Sequence, residues 1–349
     1  MRTATSLSNG LELSVVIPVF NEEAGLDILI TRVTQVCRDV FGERYEIILV
    51  NDGSRDSSWA LMCAHAERDA HIVAVNLSRN YGHQMALTAG LHHVRGDLAF
   101  ILDADLQDPP ELLGPMLDKV REGYDVVYGQ RISRQGETAF KRSTASIFYR
   151  LLGRMTDTQI PRDTGDFRLM TRRVVDQLNT MPERFSFTRG LVSWIGFRQI
   201  AFPYEREARF AGESHYPLTK MIALALDAVT SFSVVPLRFA SHLGILFGAA
   251  WLLALGWIAA VWLAGGTVQG WASLAALTLI MGSVQLIMLG VFGEYLGRMY
   301  MEGKHRPLFI VSEVRQSAAG RHEAGDDPLA SNPVARMEQQ LRESFRAAG

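Results

Sequence analysis

Short apolar runs alternate with longer segments of helical periodicity from the N-terminus up to Arg131. The apolar runs are rich in Val, Ile and Leu, and they read LSVVIPVF, YEIILVND, HIVAVNLS, DLAFILDAD and YDVVYGQR. The segments between them read EEAGLDILITRVTQVCRDVF, DSSWALMCAHAERD, GHQMALTAGLHHV and PPELLGPMLDKVREG. Such alternation predicts an α/β fold, in which a mostly parallel, Rossmann-like sheet is covered by helices on both faces.

The second half of the chain contains a long uncharged region. Between Arg238 and Glu294 there is no Asp, Glu, Lys or Arg, which leaves room for two membrane crossings of about 20 residues each. The region divides at the Gly-rich stretch AGGTVQGW, and Trp262 and Trp271 stand where an interfacial aromatic belt would place them. We predict a two-helix transmembrane hairpin within residues 238–297; the alternative is a buried helical hairpin in a soluble protein.

The flanking charges predict an orientation for this hairpin. Arg238 precedes it and Arg298, Lys304 and Arg306 follow it, whereas the turn between the helices carries no charge. The positive-inside rule then places both termini in the cytoplasm. The N-terminal residues lack the long apolar region of a signal peptide. We therefore expect a multi-pass protein of the inner (cytoplasmic) membrane, with its α/β domain in the cytoplasm.

These patterns divide the chain into five predicted regions. They are a disordered N-terminus over 1–12, the α/β domain over 13–215, a juxtamembrane helix over 216–237, the hairpin over 238–297 and a largely disordered cytoplasmic tail over 298–349. The formal net charge of −2 gives no field that would attract nucleic acid. The two cysteines, Cys37 and Cys63, fall in helical segments of a cytoplasmic domain, so we expect no disulfide.

Polar residues collect where the predicted strands end. Asn21 and Glu22 follow the first strand, Asn51 and Asp52 follow the second, and the fourth ends in the acidic stretch DADLQD. Ligands of such sheets bind beyond the carboxyl ends of the strands. A carboxylate there can accept hydrogen bonds from a base or a ribose, and two carboxylates two residues apart can hold a divalent ion that leaves positions open for a diphosphate.

Each of these polar clusters also has a simpler explanation. The acidic stretch can be a solvated Asp-Pro turn, and the residues after Asp52 can be a turn that caps the next helix. Asp108 precedes Pro109 and Pro110, so we predict that it caps the following helix and is not a metal ligand. Neither a GxGxxG motif after the first strand nor a P-loop is present.

Two segments before the hairpin are candidates for binding a lipid. Residues 139–155 predict a basic amphipathic helix at the membrane interface, or alternatively a core-facing helix with a solvated basic face. The second segment is the apolar juxtamembrane helix over 216–237, which leads into the first crossing and is predicted to lie at the interface as well. An anionic lipid headgroup between these segments would need cations and hydroxyls. The phosphate-binding candidates are Arg142 and Ser146, with Arg131 facing either this phosphate or a donor diphosphate.

The motifs taken together resemble a known family. VVIPVFNEE, VNDGSRDSS, LSRNYGHQMALTAGL, ILDADLQDPPE, DTGDFRLM and RFAGESHYPLTKM look like the family 2 glycosyltransferases with the GT-A fold. Within that family the chain resembles the polyprenyl-phosphate glycosyltransferases, which include bactoprenol glucosyltransferases and dolichol-phosphate mannose synthases. The resemblance covers roughly residues 12 to 312, and its motifs are specific as a set rather than singly.

This resemblance implies a role for each matching residue. The uridine and its ribose would be held by Pro18, Phe20, Glu22 and Asp52, with Asp103 near both the ribose and the metal. The metal, Mg²⁺ or Mn²⁺, would be held by Asp103, Asp105 and Gln107. Asp166 would be the catalytic residue beside the sugar. Arg209 and Ser214 would close over the phosphate of the lipid.

The implied reaction is the transfer of a hexose, with inversion, to undecaprenyl or another polyprenyl phosphate. The resemblance favours glucose from UDP-glucose and leaves GDP-mannose, UDP-GlcNAc, UDP-galactose and UDP-formamido-arabinose as alternatives. Two rival classes are a processive polysaccharide synthase and a nucleotide-sugar binding protein without activity. The QxxRW motif of processive synthases is absent, because no Trp directly follows an Arg in this sequence. The expected partners are the donor, the lipid acceptor and the bilayer; a homo-oligomer is left open.

Overall fold

The computed structural model describes residues 10–132, 164–181, 188–205, 235–265 and 270–317. The strands in these ranges are β1 Leu13–Val19, β2 Tyr45–Asn51, β3 Ile72–Leu77, β4 Leu98–Ile101, β5 Val126–Arg131, β6 Thr164–Thr171, β7 Gln199–Tyr204 and β8 Val311–Arg315. The α-helices are α1 Leu26–Phe41, α2 Ser58–Arg68, α3 His83–His93, α4 Leu113–Arg121, α5 Arg172–Asn179, α6 Thr188–Ile195, α7 Val235–Leu263 and α8 Trp271–Glu302. The predicted alternation is confirmed through β5.

All eight strands form one mixed sheet in the order β7-β5-β6-β4-β1-β2-β3-β8. The strands β4, β1, β2 and β3 pair in parallel, as do β5 and β7. Strand β6 runs antiparallel between β4 and β5, and β8 runs antiparallel to β3. The sheet is therefore mostly parallel and of the GT-A type, as predicted.

The core lies on both faces of the two central strands. Every residue of β1 and β2 is buried, which explains why these strands read as continuous apolar runs rather than alternating ones. Alternate residues of β1 pack in one cluster with the buried face of α1. On the opposite face α3 lies so close that a Cβ atom on Gly90 would come within 2.3 Å of Val16 Cγ1. Glycine at position 90 therefore permits this close packing of helix on sheet.

The segment that follows α8 differs from its prediction. The tail was expected from residue 298, but α8 continues to Glu302 and residues 311–315 return to the sheet as the edge strand β8. Phe309, just before β8, is buried. The strand has five residues with charges at alternate positions, VSEVR, a pattern that suits an exposed sheet edge and gives little apolar signal.

Helices α7 and α8 contact each other and are long and apolar. Their most apolar windows, Gly244–Val261 and Ile280–Glu302, have mean hydropathies of 2.1 and 1.4, and none of either window is buried in the protein. By length and composition both could cross a membrane. Several predicted segments and site residues lie outside the described residues: the helix over 139–155, the helix over 216–237 except its last three residues, which begin α7, most of the N-terminal and C-terminal tails, and Arg142, Ser146, Arg209 and Ser214.

Candidate functional site

The carboxyl end of β4 brings two acidic side chains and a histidine together. Strand β6 pairs with β4 so that Ile101 lies opposite Arg168, and Asp103 and Asp166 each lie two residues from this pair. The first residue of α3, His83, reaches both carboxylates, with Nε2 at 3.4 Å from Asp103 and 3.2 Å from Asp166. One ligand atom from each of the three lies within 4.8 Å of the others.

Asp166 is buried and held by several donors. Its carboxylate accepts hydrogen bonds from Gln84 Nε2 at 2.9 Å and from Arg189 Nε at 3.1 Å. His83 Nε2 lies 3.2 Å from the same carboxylate. Burial alone would raise the pKa of Asp166, but Arg189, His83 and the buried Arg168 outweigh it and hold that pKa well below its ordinary value of 3.8. Asp166 is therefore an anion at every physiological pH, and a weak base.

The pKa of Asp103 is shifted in the opposite direction, upward. Burial raises its pKa to about 6, opposed by His83 and reinforced by the charges of Asp108, Asp166 and Asp105. Within the described residues Asp103 Oδ1 is buried and has no hydrogen-bond partner. A buried carboxylate oxygen that accepts no hydrogen bond and has only the longer contact with His83 Nε2, in a site with several other carboxylates, suits a divalent cation, so the residues present fit a bound metal.

The other two predicted metal ligands lie in the loop after β4. Asp105 Oδ1 accepts the Gln107 N–H at 3.2 Å, and Leu106 between them has a positive φ of 58°, an uncommon conformation for a residue with a side chain. Of these two residues, Asp105 does not belong to the three-residue group of acidic and histidine side chains formed by His83, Asp103 and Asp166. Their role as metal ligands stays a prediction.

Asp108 does not cap a helix, contrary to the prediction. The helical turn Pro110–Leu112 begins after Pro109 without a side-chain cap, and α4 likewise has none. Instead, the buried Asp108 accepts a hydrogen bond from Tyr204 O–H at 2.5 Å. Tyr204 is the last residue of β7, which is separated from β4 by the two strands β5 and β6. This contact therefore ties the acidic loop to a strand that the sequence pattern had not identified.

The loops after β1 and β2 are joined by hydrogen bonds. Asn21 Oδ1 accepts the Arg55 N–H at 2.8 Å, and the Asn21 N–H donates to Ser54 Oγ at 3.0 Å. The Glu22 N–H donates to Ser58 Oγ at 3.0 Å. Phe20, the first residue past β1, is 45% exposed. The predicted nucleotide residues Pro18, Phe20 and Glu22 thus lie on or beside a loop whose backbone is fixed by its neighbour.

Asp52 is buried and accepts backbone hydrogen bonds from the loop after β3. The Tyr81 N–H donates to Oδ1 at 2.7 Å and the Gly82 N–H to Oδ2 at 3.0 Å. Burial raises the pKa of Asp52 above its ordinary 3.8, and these two hydrogen bonds partly offset it. The loop passes so close that a Cβ atom on Gly53, whose φ is +68°, would lie 2.6 Å from Asn80 N.

Arg131 ends β5 next to the strand that carries Asp166. A Cβ atom on Gly165 would lie 2.9 Å from Arg131 Nη2, so the absence of a side chain at Gly165 leaves space for the guanidinium. Within the described residues Arg131 Nε is buried and has no hydrogen-bond partner. An unpaired N–H on a permanently charged group suits an anionic ligand such as a diphosphate.

Sequence reasoning missed the groups that surround Asp166. His83 and Gln84 were quoted only as part of the motif LSRNYGHQMALTAGL, and Arg189 was not singled out at all. They lie 83, 82 and 23 positions from Asp166 in the chain, so local periodicity could not bring them to it. A polar pair, His-Gln, at the start of an otherwise apolar helix was the available signal.

Comparison with known proteins gives the class and the family. The family model "Glycosyl transferase family 2" matches residues 14–178, where the sheet edge with Asp52, Asp103 and Asp166 lies. The protein is a glycosyltransferase. It belongs to glycosyl transferase family 2, because relatives named as glycosyltransferases match nearly their whole length at well above 30% identity.

Two relatives and one solved structure illustrate this similarity. The chain is 46% identical to the uncharacterized glycosyltransferase YkcC of Bacillus subtilis (strain 168), over 88% of this chain and 95% of that protein. It is 38% identical to the bactoprenol glucosyl transferase of Shigella phage SfV, over 88% of this chain and 100% of that one. A glucosyl-3-phosphoglycerate synthase from Mycobacterium tuberculosis, solved with Mn²⁺, UDP-glucose and phosphoglyceric acid, is 21% identical, covers 63% of this chain and 78% of its own, and has a TM-score of 0.43.

Proposed function

We propose that this protein transfers a hexose, glucose from UDP-glucose, to undecaprenyl or another polyprenyl phosphate, with inversion at the anomeric carbon. The single observation that carries this proposal is the buried Asp103 oxygen that accepts no hydrogen bond and has an ion-pair contact of 3.4 Å with a histidine, which also contacts the ionised Asp166. The full-length similarity to bactoprenol glucosyl transferases supports the acceptor. The product, a polyprenyl-phosphate sugar, would serve modification of cell-envelope glycans.

The donor would lie across the carboxyl ends of β1, β2 and β4. Pro18, Phe20, Glu22 and Asp52 would contact the uridine, and Arg131 would face the diphosphate. Asp103, Asp105 and Gln107 would hold Mg²⁺ or Mn²⁺, which when bound neutralises charge on the departing diphosphate. Supporting this assignment, the Asp103 oxygen and the Arg131 Nε are both buried and make no hydrogen bond among the described residues.

Asp166 would position the acceptor rather than remove a proton from it. The acceptor is a phosphate monoester whose second pKa is about 6, so near neutral pH it is already mostly ionised. A general base is then less necessary than for an attacking hydroxyl. The low pKa of Asp166, which results from Arg189, His83 and Arg168 against the effect of burial, supports the same view because such a carboxylate binds a proton weakly.

The lipid phosphate would be bound by Arg142, Ser146, Arg209 and Ser214, which lie outside the described residues. Arg142→Ala should then raise the KM for the polyprenyl phosphate and leave donor binding nearly intact. Equal loss of both would assign Arg142 to the donor site or to the fold. Helices α7 and α8 would cross the inner membrane, with both termini and the α/β domain in the cytoplasm; reporters fused after Gly266 and after Gly320 should then report opposite sides.

The test is a panel of labelled nucleotide sugars offered with and without undecaprenyl phosphate to the purified full-length protein. We expect a lipid-linked product from UDP-glucose that depends on the lipid and on Mg²⁺ or Mn²⁺, and whose anomeric configuration is opposite to that of the donor. A lipid-linked product from another donor would replace glucose in the proposal. Chain elongation would indicate a processive synthase, and hydrolysis unaffected by the lipid would contradict the acceptor assignment.

A further inference from the structure

The segment Phe309–Arg315, which we call the C-terminal clamp, holds the end of strand β3. The Ser78 N–H donates to Ile310 O at 2.9 Å, and Ser312 Oγ donates to Asn76 O at 3.1 Å. The β3–β8 pairing shifts register between Asn76 and Leu77, a bulge that redirects the chain at this point. These contacts lie where β3 gives way to the loop over residues 78–83, whose last residue, His83, is also the first residue of α3.

The other side of that loop lies against the candidate nucleotide site. Its backbone N–H groups at Tyr81 and Gly82 donate to the Asp52 carboxylate, and Asn80 Nδ2 donates to Asp52 O at 3.0 Å. The backbone of Arg79 and Asn80 is packed on Gly53. The loop is therefore held from two sides, by the clamp and by the residues that end β2.

A side-chain contact inside the loop connects these two sides. Ser78 Oγ and Tyr81 Oη lie 3.1 Å apart, and the Arg79 guanidinium stacks over the Tyr81 ring with 4.6 Å from its Cζ to the ring centroid. The same residue, Tyr81, donates its backbone N–H to Asp52 at 2.7 Å. A displacement of Ser78 by loss of the clamp would therefore reach Asp52 through Tyr81.

The clamp also contacts the helix that begins with His83. Phe309 is 7% exposed, and its ring centroid lies 5.6 Å from that of His92, in the last turn of α3. The first residue of the same helix, His83, contacts Asp103 and Asp166. The clamp thus touches both ends of the segment from Ser78 to His92, which carries contacts to three candidate site carboxylates.

We propose that the C-terminal clamp is a positioning element of the donor site: it holds the 78–83 loop in the conformation that orients Asp52, and so sets the affinity for a nucleoside diphosphate. This inference rests on the proposed function. The physical basis is that affinity falls in proportion to the fraction of molecules whose loop is in the binding conformation. Without the clamp, one side of a six-residue loop loses its contacts, and more conformations become accessible.

The experiment uses the full-length protein in detergent, with Phe309→Ala and the milder Ser312→Ala. The matched control is Val314→Ala, on the same strand, where the side chain is 43% exposed. Hydrogen exchange reports the protection of the Tyr81 and Gly82 amides, and calorimetry with UDP and Mn²⁺ gives a dissociation constant. We expect faster exchange at both amides and binding weaker by about 5- to 20-fold for Phe309→Ala, the low end of ordinary coupling between sites.

The two substitutions that weaken the clamp should differ in size. Ser312→Ala removes one hydrogen bond and should change both readouts in the same direction but less than Phe309→Ala, whereas Val314→Ala should leave both near those of the unmodified protein. The proposal is overturned if exchange and UDP affinity are unchanged in both clamp variants, or if exchange rises while affinity does not fall. If the unmodified protein itself fails to bind UDP, the proposed function has failed, and faster exchange in the clamp variants would still show that the clamp holds the loop.

Discussion

Asp52 and Asp166 are both buried carboxylates near the ends of strands of one sheet, yet their surroundings differ in kind. Asp52 is bound by backbone N–H groups of one loop, whereas Asp166 is surrounded by Arg189, His83 and Arg168. Burial raises the pKa of Asp52, while for Asp166 the cations outweigh burial and lower it. Hydrogen bonds from neutral backbone groups hold a carboxylate in place, whereas charged partners also determine whether it is ionised.

Asp52 and Asp166 therefore have two different tasks at the same edge of the sheet. At Asp52 the hydrogen bonds order the loop over residues 78–83, so the carboxylate contributes mainly to binding geometry. At Asp166 the negative charge itself is maintained, next to a second carboxyl, Asp103, whose pKa is raised to about 6 chiefly by burial. Substitutions at the two positions should therefore affect different measured quantities.

The largest effect is expected for Asp166→Asn. The amide keeps the shape and removes the charge, so turnover should fall by about 100-fold or more while UDP still binds. The free energy of unfolding should also fall, by about 3 kcal/mol, because the buried Arg168 loses its counter-charge. Steady-state rates, calorimetry and urea denaturation measure the three quantities.

The matched control for this substitution is Asp176→Asn. Asp176 forms an ion pair with Arg172 at 2.7 Å on the surface of α5, with its side chain 58% exposed, so its loss should leave turnover and stability nearly unchanged. An Asp166→Asn protein that turns over at the original rate would remove Asp166 from the catalytic assignment. One that no longer binds UDP would move it to the nucleotide site.

The next effect in size concerns the metal. If Asp105 holds the cation, Asp105→Asn should weaken metal-dependent donor binding and lower turnover together, each by about tenfold or more, because the diphosphate loses its bridge to the protein. Calorimetry of UDP-glucose over a series of Mn²⁺ concentrations measures this change. Asp118→Asn, with an exposed carboxylate on α4, is the control. If UDP-glucose binding by Asp105→Asn depended on Mn²⁺ as in the unmodified protein, Asp105 would not be a ligand, and Asp103, His83 and Asp166 would form the cation site.

Much of this edge could be predicted from the sequence, but the partners of its carboxylates could not. Strands β1 to β4 read as largely apolar runs because both faces of the sheet are covered, and Asp52 and Asp103 follow β2 and β4 within two residues. Strand β6 comes from a distant part of the chain and lies antiparallel between β4 and β5. No local periodicity of apolar residues in the sequence indicates this insertion. The short polar strand β8 was missed for a similar reason, since its exposed edge position requires few apolar residues.

A smaller effect is expected for Asp52→Asn. An amide retains one acceptor oxygen, so one of the two backbone hydrogen bonds from the 78–83 loop is lost, at a cost of about 1 kcal/mol. UDP affinity should fall by about fivefold to tenfold, while turnover at saturating donor stays close to that of the unmodified protein. A large fall in turnover with unchanged UDP affinity would contradict the division of tasks between Asp52 and Asp166.

The smallest effect is a difference in the slope of stability against pH. The folded pKa of Asp166 lies below 3.8, so its contribution to stability is present above that pH and is lost as the pH falls further. The folded pKa of Asp52 lies above 3.8, so its ionisation lowers stability at neutral pH, and that cost disappears on acidification. Between about pH 5 and about pH 3, Asp166→Asn should therefore flatten the acid-induced loss of stability, by about 1 kcal/mol, and Asp52→Asn should steepen it. His83, which faces Asp166 and Asp103 and has a raised pKa despite its burial, is protonated throughout this range and adds no slope of its own. Urea midpoints at a series of pH values measure the slopes, and equal slopes in the two variants would show that the two carboxylates do not differ in the way their partners indicate.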